Sequence, residues 1–183
     1  MNEAAYARPA HVRVRVCGPQ DDQVLSLVGK ATFLDAFAGV LSGEDILLHC
    51  ATQHAPDIYK TWLSDPRARA WLAEIEPGHA PVGYLVVAPA DLPLPDLGPD
   101  DIEVKRIYLL QRVQGSGVGK QLMKEALAFA ALAGSRRLLL GVYGKNHRAI
   151  AFYERFGFTR LGARRFRVGR NDHDDLILGF TLT

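Results

Sequence analysis

The chain has 183 residues, enough for one domain of ordinary size and short for two. Hydrophobic residues make up 48% and charged residues 23%, which excludes a mainly disordered or collagen-like chain. The net charge of +2 hides an asymmetry: residues 1–104 sum to −8 and residues 105–170 to +13, a distribution that hints at an anionic ligand on the second half.

No repeat and no low-complexity tract interrupts the chain. Residues 11–16 read HVRVRV, with Val12, Val14 and Val16 alternating onto one face of a half-buried strand. Gly18 and Pro19 break it, and Asp21 or Asp22 is placed to cap a helix carrying Val24, Leu27, Val28 and Ala31 on its apolar stripe. A second helix is predicted from Ser42, with Glu44 and Asp45 in a first turn whose dipole favours acids. A third covers residues 57–63. Residues 70–75 and 82–88 form a hairpin across the turn EPGHAP. The proline-rich stretch DLPLPDLGPD that follows is a loop or a mobile flap, not a domain linker, because both flanking segments belong to one sheet.

Residues 102–109 are the next strand. Residues 119–133 form a helix with Leu122, Met123, Ala126, Leu127 and Ala130 on one stripe. Residues 137–143 are a leucine-rich strand, expected to be central and buried on both faces. A short helix over 149–156 stops at Gly157, and strands over 158–167 and 175–182 flank a polar turn around Asn171. Hairpins combined with strand–helix–strand units predict a single mixed α/β (α+β) domain spanning residues 1–183, with a mostly antiparallel central sheet flanked by helices.

The most informative segment is VQGSGVGKQLM at residues 113–123, between a strand and a helix. Three glycines in five residues allow close backbone approach to a ligand, and N–H groups at a helix N-terminus suit an anion such as a pyrophosphate. A Walker loop fails at Gln114 and Gln121, while a dinucleotide or kinase fingerprint fails at Lys120. The pattern Gln-x-x-Gly-x-Gly over 114–119 resembles the acyl-CoA-binding loop of the GNAT acetyltransferase superfamily. NHRAIAFYERFGF at residues 146–158 then matches that family's N-x-x-A-x-x-F-Y-x-x-x-G-F at every fixed position, after a buried strand. The resemblance is strongest over residues 102–180, and the chain is identified as a member of the superfamily.

The resemblance implies an acetyl-CoA-dependent N-acetyltransferase that needs no metal. Ile107, Tyr108 and Leu109 would lie along the pantetheine arm at a splayed strand end, with a backbone N–H near Leu109 facing the thioester oxygen. Gln114, Gly115, Ser116, Gly117, Val118, Gly119 and Lys120 would hold the pyrophosphate, and Asn146 the pantetheine amide. Tyr153 matches the general acid that assists the departing thiolate. Glu103 aligns with the general base; at roughly 13 Å from Ile107 by regular strand rise, it would act through water. A branch that uses a glutamate five residues before the motif asparagine is disfavoured, because Gly141 stands there.

The acceptor is expected among residues 31–60, 89–101 and 164–175. Asp35, Glu44, Asp45, Asp57, Asp91, Asp96, Asp100 and Asp101 suggest an acidic rim and a small cationic acceptor of the polyamine type. Arg164, Arg165, Arg167 and Arg170 on the last hairpin argue the other way, toward an acidic substrate or the 3′-phosphate of CoA. A peptide or protein amine, and a non-catalytic acyl-CoA sensor, are the alternatives. No stripe of basic residues interleaved with aromatics supports nucleic-acid binding.

His147 is read as exposed, and the run Asp172, His173, Asp174, Asp175 as a solvated turn, not a metal site. The longest apolar run, residues 126–133, is too short to cross a bilayer, so no membrane partner is expected. The N-terminus shows no secretory pattern. Cys17 and Cys50 are too few for a disulfide framework and are expected reduced, in the cytoplasm, with no role as acyl carriers. Homodimers are common in the family, but no segment here marks an interface.

Overall fold

A computed structural model describes residues 11–168 and 171–182. In chain order the elements are β1 (Val12–Val16), α1 (Asp22–Phe37), α2 (Gly43–Gln53), α3 (Pro56–Ser64), β2 (Arg69–Ile75), β3 (Ala80–Pro89), β4 (Asp101–Leu109), a 3₁₀ turn (Gln111–Val113), α4 (Val118–Leu132), β5 (Arg137–Tyr143), α5 (His147–Glu154), β6 (Thr159–Val168) and β7 (Asn171–Thr181). They build one seven-stranded sheet of order β1-β2-β3-β4-β5-β7-β6. Every pairing is antiparallel except β4 with β5, whose crossover is α4.

The sheet buries both faces. One carries Leu85, Val87, Val104, Leu138 and Leu140 against Leu122, Met123 and Ala126 of α4. The other sets Leu72, Tyr84 and Val86 against Leu25 and Val28 of α1 and Tyr59 of α3. β5 is sealed on both sides, with Leu138, Leu139 and Leu140 all buried, as its leucine run predicts.

Three local expectations are corrected. In α1 the buried stripe is Leu25, Val28, Thr32 and Phe33, and Leu27 is 62% exposed. Asp21 stands at the N-cap of α1, but its carboxylate takes the Arg15 guanidinium and the Gly18 N–H instead of capping the helix. Residues 90–100 form a loop, as expected, with Leu92 buried against Leu139 and Ile177 and Leu94 and Leu97 partly buried beside it. The fully buried Asp101 carboxylate ties Arg136 and Arg137 beneath it at 2.6 and 2.7 Å. Asn171 begins β7 and pairs with Val168, so the turn expected around it falls on residues 169–170, outside the described residues.

Candidate active site

Beyond the pair Val104↔Leu140 the parallel ladder between β4 and β5 ends, while β4 continues to Leu109 and β5 to Tyr143. The strands part there and leave a groove of about 680 Å³. Along an antiparallel strand, alternate residues turn their backbone groups to opposite neighbours. Leu110 donates to the Val82 carbonyl on the β3 side. By that alternation Ile107 and Leu109 turn their N–H groups into the gap that β5 has left. Ile107, Tyr108 and Leu109 all line it.

The glycine loop closes one end of this groove. Gly115 and Gly117 have φ of +80° and +94°, a region from which an L side chain is largely excluded. Gly117 is the N-cap of α4, and the first intrahelical donation is from Gln121 N–H to Gly117. The N–H groups of Val118, Gly119 and Lys120 therefore point out of the helix start, at the positive end of its dipole. Gly115, Gly117, Gly119 and Lys120 line the groove. Val118 and Ser116, expected there from the sequence, do not line it: the Val118 side chain is buried in the core, and the Ser116 hydroxyl donates to the Val113 carbonyl. The Gln114 amide donates to the Leu109 carbonyl at 3.1 Å, so its side chain fastens the loop to the strand end.

Opposite the loop, α5 presents Asn146, Ala149, Phe152 and Tyr153 to the groove. The Asn146 side-chain oxygen accepts from Ala149 N–H at 3.1 Å, an N-cap that leaves only its Nδ2 as donor to a ligand. Tyr153 is buried between Phe152 and Phe158. Burial, with Tyr108 close by, pushes its phenol well above the ordinary value and holds it neutral. His147 is exposed, as expected.

A second cavity, of about 340 Å³, opens on the other side of β4 and shares Lys105, Arg106, Tyr108, Gly141 and Tyr143 with the groove. A β-bulge makes this wall. β4 pairs Val87 with Val104 but Val86 with Arg106, so Lys105 is an extra residue. Before it Ile102 and Val104 face the α4 core, and after it Ile107 and Leu109 do. Glu103, Lys105, Arg106 and Tyr108 consequently all line the one cavity. A regular strand would have sent the last two to the opposite face.

Glu103 is 3% exposed. Its Oε2 accepts from Lys105 Nζ at 2.6 Å and from Asp91 N–H at 3.3 Å, and its Oε1 lies 3.9 Å from the Arg164 guanidinium. Burial raises its pKa despite Lys105, which pulls the other way. Arg164 also pairs with Asp175 at 3.5 Å. A side chain at Gly141 would collide with the Arg164 guanidinium, so the carboxylate position of the other branch is filled here by a cation. Of the eight acids expected to rim the acceptor, Asp91 alone lines this cavity. Asp35 accepts from the Gln111 N–H, Asp96 and Asp101 hold Arg137, and Asp45 is buried on α2. The side chains of Arg167, Asp172 and His173, and all of Arg170, lie outside the described residues.

Sequence reading missed the wall facing Glu103. Phe33, Phe37, His49, His54 and Trp62, from α1, α2, α3 and the turn before α3, form an aromatic roof. His49 stacks on Phe33 at 4.0 Å between ring centres. Arg106 donates to His54 Nδ1 at 3.2 Å and to Tyr59 Oη at 2.9 Å, and lies over the rings of Tyr59 and Trp62. A guanidinium can only donate, so His54 Nδ1 is the bare nitrogen of a neutral ring. Burial, then the Arg106 charge, pulls His54 down to about 2 and His49 to about 4. Nothing in the spacing of two histidines five residues apart on a polar helix end signals this role.

Cys17 and Cys50 are free thiols with raised pKa values, through burial in both cases, and Cys17 is pushed up to about 12. Both are poor nucleophiles. No cluster of candidate metal ligands is found among the described residues, and none of their helices is long and apolar enough to cross a membrane.

Comparison with known proteins agrees with the geometry. Residues 41–158 match the model of the acetyltransferase (GNAT) family. An uncharacterized N-acetyltransferase of Mycobacterium tuberculosis is 33% identical over 158 residues, 86% of this chain and 96% of the relative. Another, from Lactobacillus delbrueckii, is 28% identical over 82% of this chain and 86% of its own. Among solved structures, PaiA N-acetyltransferase from Thermoplasma acidophilum in complex with coenzyme A superposes with a TM-score of 0.74 at 18% identity, covering 94% of this chain and 99% of its own. With the splayed strands, the glycine loop and the α5 motif in place, the chain belongs to the GNAT family of acetyltransferases.

Proposed function

We propose that the protein transfers an acetyl group from acetyl-CoA directly to a primary amine of a small molecule, with Tyr153 as general acid and Glu103 as general base. The observation that carries this reading is the continuity of two cavities across the β4 bulge: an anion-receptive groove on one side and a walled pocket on the other, sharing Lys105, Arg106 and Tyr108.

The groove fits coenzyme A. Its α4 N-terminus suits a pyrophosphate, its exposed strand edge suits an amide chain, and its volume lies within the range of cofactor sites. When bound, acetyl-CoA supplies an activated acyl group as a thioester. The Leu109 N–H, or that of Ile107, faces the position where oxyanion charge develops. The neutral Tyr153 phenol can donate a proton toward the thiolate end of the groove. Glu103 takes the amine's proton through water, which fits its place at the far wall. Its Lys105 contact must loosen as the carboxylate takes on that proton.

For the acceptor, Asp91, Glu103 and Asp175 favour a cation, while Lys105, Arg106 and Arg164 stand beside them on the same wall. A polyamine is therefore one arm of the assay, and a peptide amine another. A non-catalytic acyl-CoA sensor would bind acetyl-CoA and be indifferent to Tyr153→Phe. The transferase reading requires that this substitution depress amine-dependent thiol release while calorimetry still registers acetyl-CoA binding. Wild-type turnover by both Tyr153→Phe and Glu103→Gln across pH 6–9 would overturn the assignment of acid and base.

A further inference from the structure

Three cations line the acceptor cavity, and their partners differ. Lys105 is held by Asp91 and Glu103, each at 2.6 Å. Arg164 pairs with Asp175 and Glu103. Arg106 has no carboxylate within ion-pair distance among the described residues. Its only protein acceptors there are neutral, the bare nitrogen of His54 and the hydroxyl of Tyr59, and both are reached through one terminal nitrogen. The N–H groups on Nε and on the other terminal nitrogen have no protein acceptor among the described residues, and neither nitrogen is sealed from solvent.

The side chain is nonetheless fixed in place. Its guanidinium lies 5.3 Å from the ring centre of Tyr59 and 4.9 Å from that of Trp62. Tyr59 is fully buried and Tyr84, 3.3 Å from it, supports its hydroxyl. A held guanidinium with a fork of donors turned to a cavity matches a planar oxyanion, and such pairs are strong where water is partly excluded. The roof over it is Phe33, Phe37, His49, His54 and Trp62, with both histidines neutral, so no second cation competes from the roof, and Val40, Leu41, Gln53 and Tyr143 complete the lining. Arg106 also borders the groove, which brings an anion bound to it within a small molecule's length of the acetyl-transfer point.

We propose that Arg106 binds a carboxylate on the acceptor, and that the acceptor is an amino carboxylate with an apolar or aromatic body, such as a hydrophobic amino acid. This rests on the acetyltransferase reading above and narrows it. The amine would sit on the β4 side of the cavity near Tyr108, the carboxylate on Arg106, and the side chain under the aromatic roof.

The test uses matched acceptors with wild-type protein and acetyl-CoA, followed by thiol release: phenylalanine, phenylalanine amide and phenethylamine, then leucine, leucine amide and isopentylamine, with spermidine as a separate arm. The expected result is a kcat/KM at least ten-fold higher for the amino carboxylate of a set than for its amide and its decarboxylated amine. Arg106→Gln should bring the members of that set within about two-fold of one another, and Arg106→Lys should keep part of the preference. Equal or better use of the amide, the decarboxylated amine or spermidine by the wild type overturns the inference and leaves the acetyltransferase intact. So does a preference that persists in Arg106→Gln. Failure of every acceptor to elicit thiol release, despite acetyl-CoA binding, removes the acetyltransferase reading and this inference with it. The wild-type comparison stands even if the Arg106 variants fold poorly.

Discussion

The acid role proposed for Tyr153 suits a phenol that is kept from ionising. Packed between Phe152 and Phe158, its phenol stays protonated through the neutral range. Tyr153→Phe is expected to lower kcat by about 10²-fold or more, on the usual scale of general acid catalysis, with acetyl-CoA affinity by calorimetry close to wild type. Glu103 is shifted in the same direction, toward its protonated form. Burial raises its pKa, so the fraction able to accept a proton falls as pH drops toward that value. The wild-type pH–rate profile should show an acidic limb reporting Glu103, and Glu103→Gln should be slower and lack that limb. An acidic limb of unchanged midpoint in the variant would assign it to another group.

At the scale of elements, the bulge in β4 and the packing of loop 90–100 decide where the side chains of the site face. The α5 motif, the glycine loop and the elements around them were legible because local periodicity and turn chemistry encode them: Gly157 ends α5's turn at φ +92°, and Leu138, Leu139 and Leu140 announce a buried strand. The extra residue at Lys105 was not legible, because a bulge in one strand exists only relative to its partner, here Val86 and Val87 of β3. The same holds for Asp96 and Asp101. Near-neighbours in an acidic, proline-rich stretch, they read as part of an acidic rim to the acceptor site, yet they bind Arg137 of the neighbouring strand β5. Asp101→Asn should therefore act through stability: removing one charge from a buried network costs about 3 kcal/mol, and thermal unfolding should shift down by several degrees. Gly141→Ala places a methyl against Arg164 and should disturb its contacts with Glu103 and Asp175, seen as a shifted acidic limb in the rate profile.

For the whole molecule, the paired histidines set an acid weakness. His49 and His54 are neutral in the fold at about 4 and about 2, but take up protons near their ordinary value of 6.5 when the chain unfolds. The unfolded state then binds more protons below that value, so stability falls as pH drops from about 6.5 toward 4, at up to about 1.4 kcal/mol per pH unit for each histidine. Asp21 and Asp101, held below the carboxylate range by arginines and backbone donors, add the same sign of loss only below their ordinary value of 3.8. Glu103 opposes the histidines above its ordinary value of 4.5, because its folded pKa is raised. Thermal unfolding followed from pH 7 to 4.5 should show the decline setting in as pH falls through about 6.5, and His49→Leu should flatten it. An unchanged slope in that variant would place the acid sensitivity elsewhere.

The charge asymmetry along the chain also belongs to this scale. Lys120 borders the groove beside the α4 N-terminus, with Lys145, Arg148 and Arg155 along its α5 side, so the basic half faces the site proposed for coenzyme A. The measurement that tests the central claim most directly is acetyl-CoA-dependent release of free thiol across a panel of amino acids, polyamines, aminoglycosides and short peptides, run beside calorimetric titration of acetyl-CoA. The account predicts binding, and turnover that depends on one class of primary amine and falls sharply in Tyr153→Phe. Absence of acetyl-CoA binding, or binding with no turnover of any amine, would contradict it.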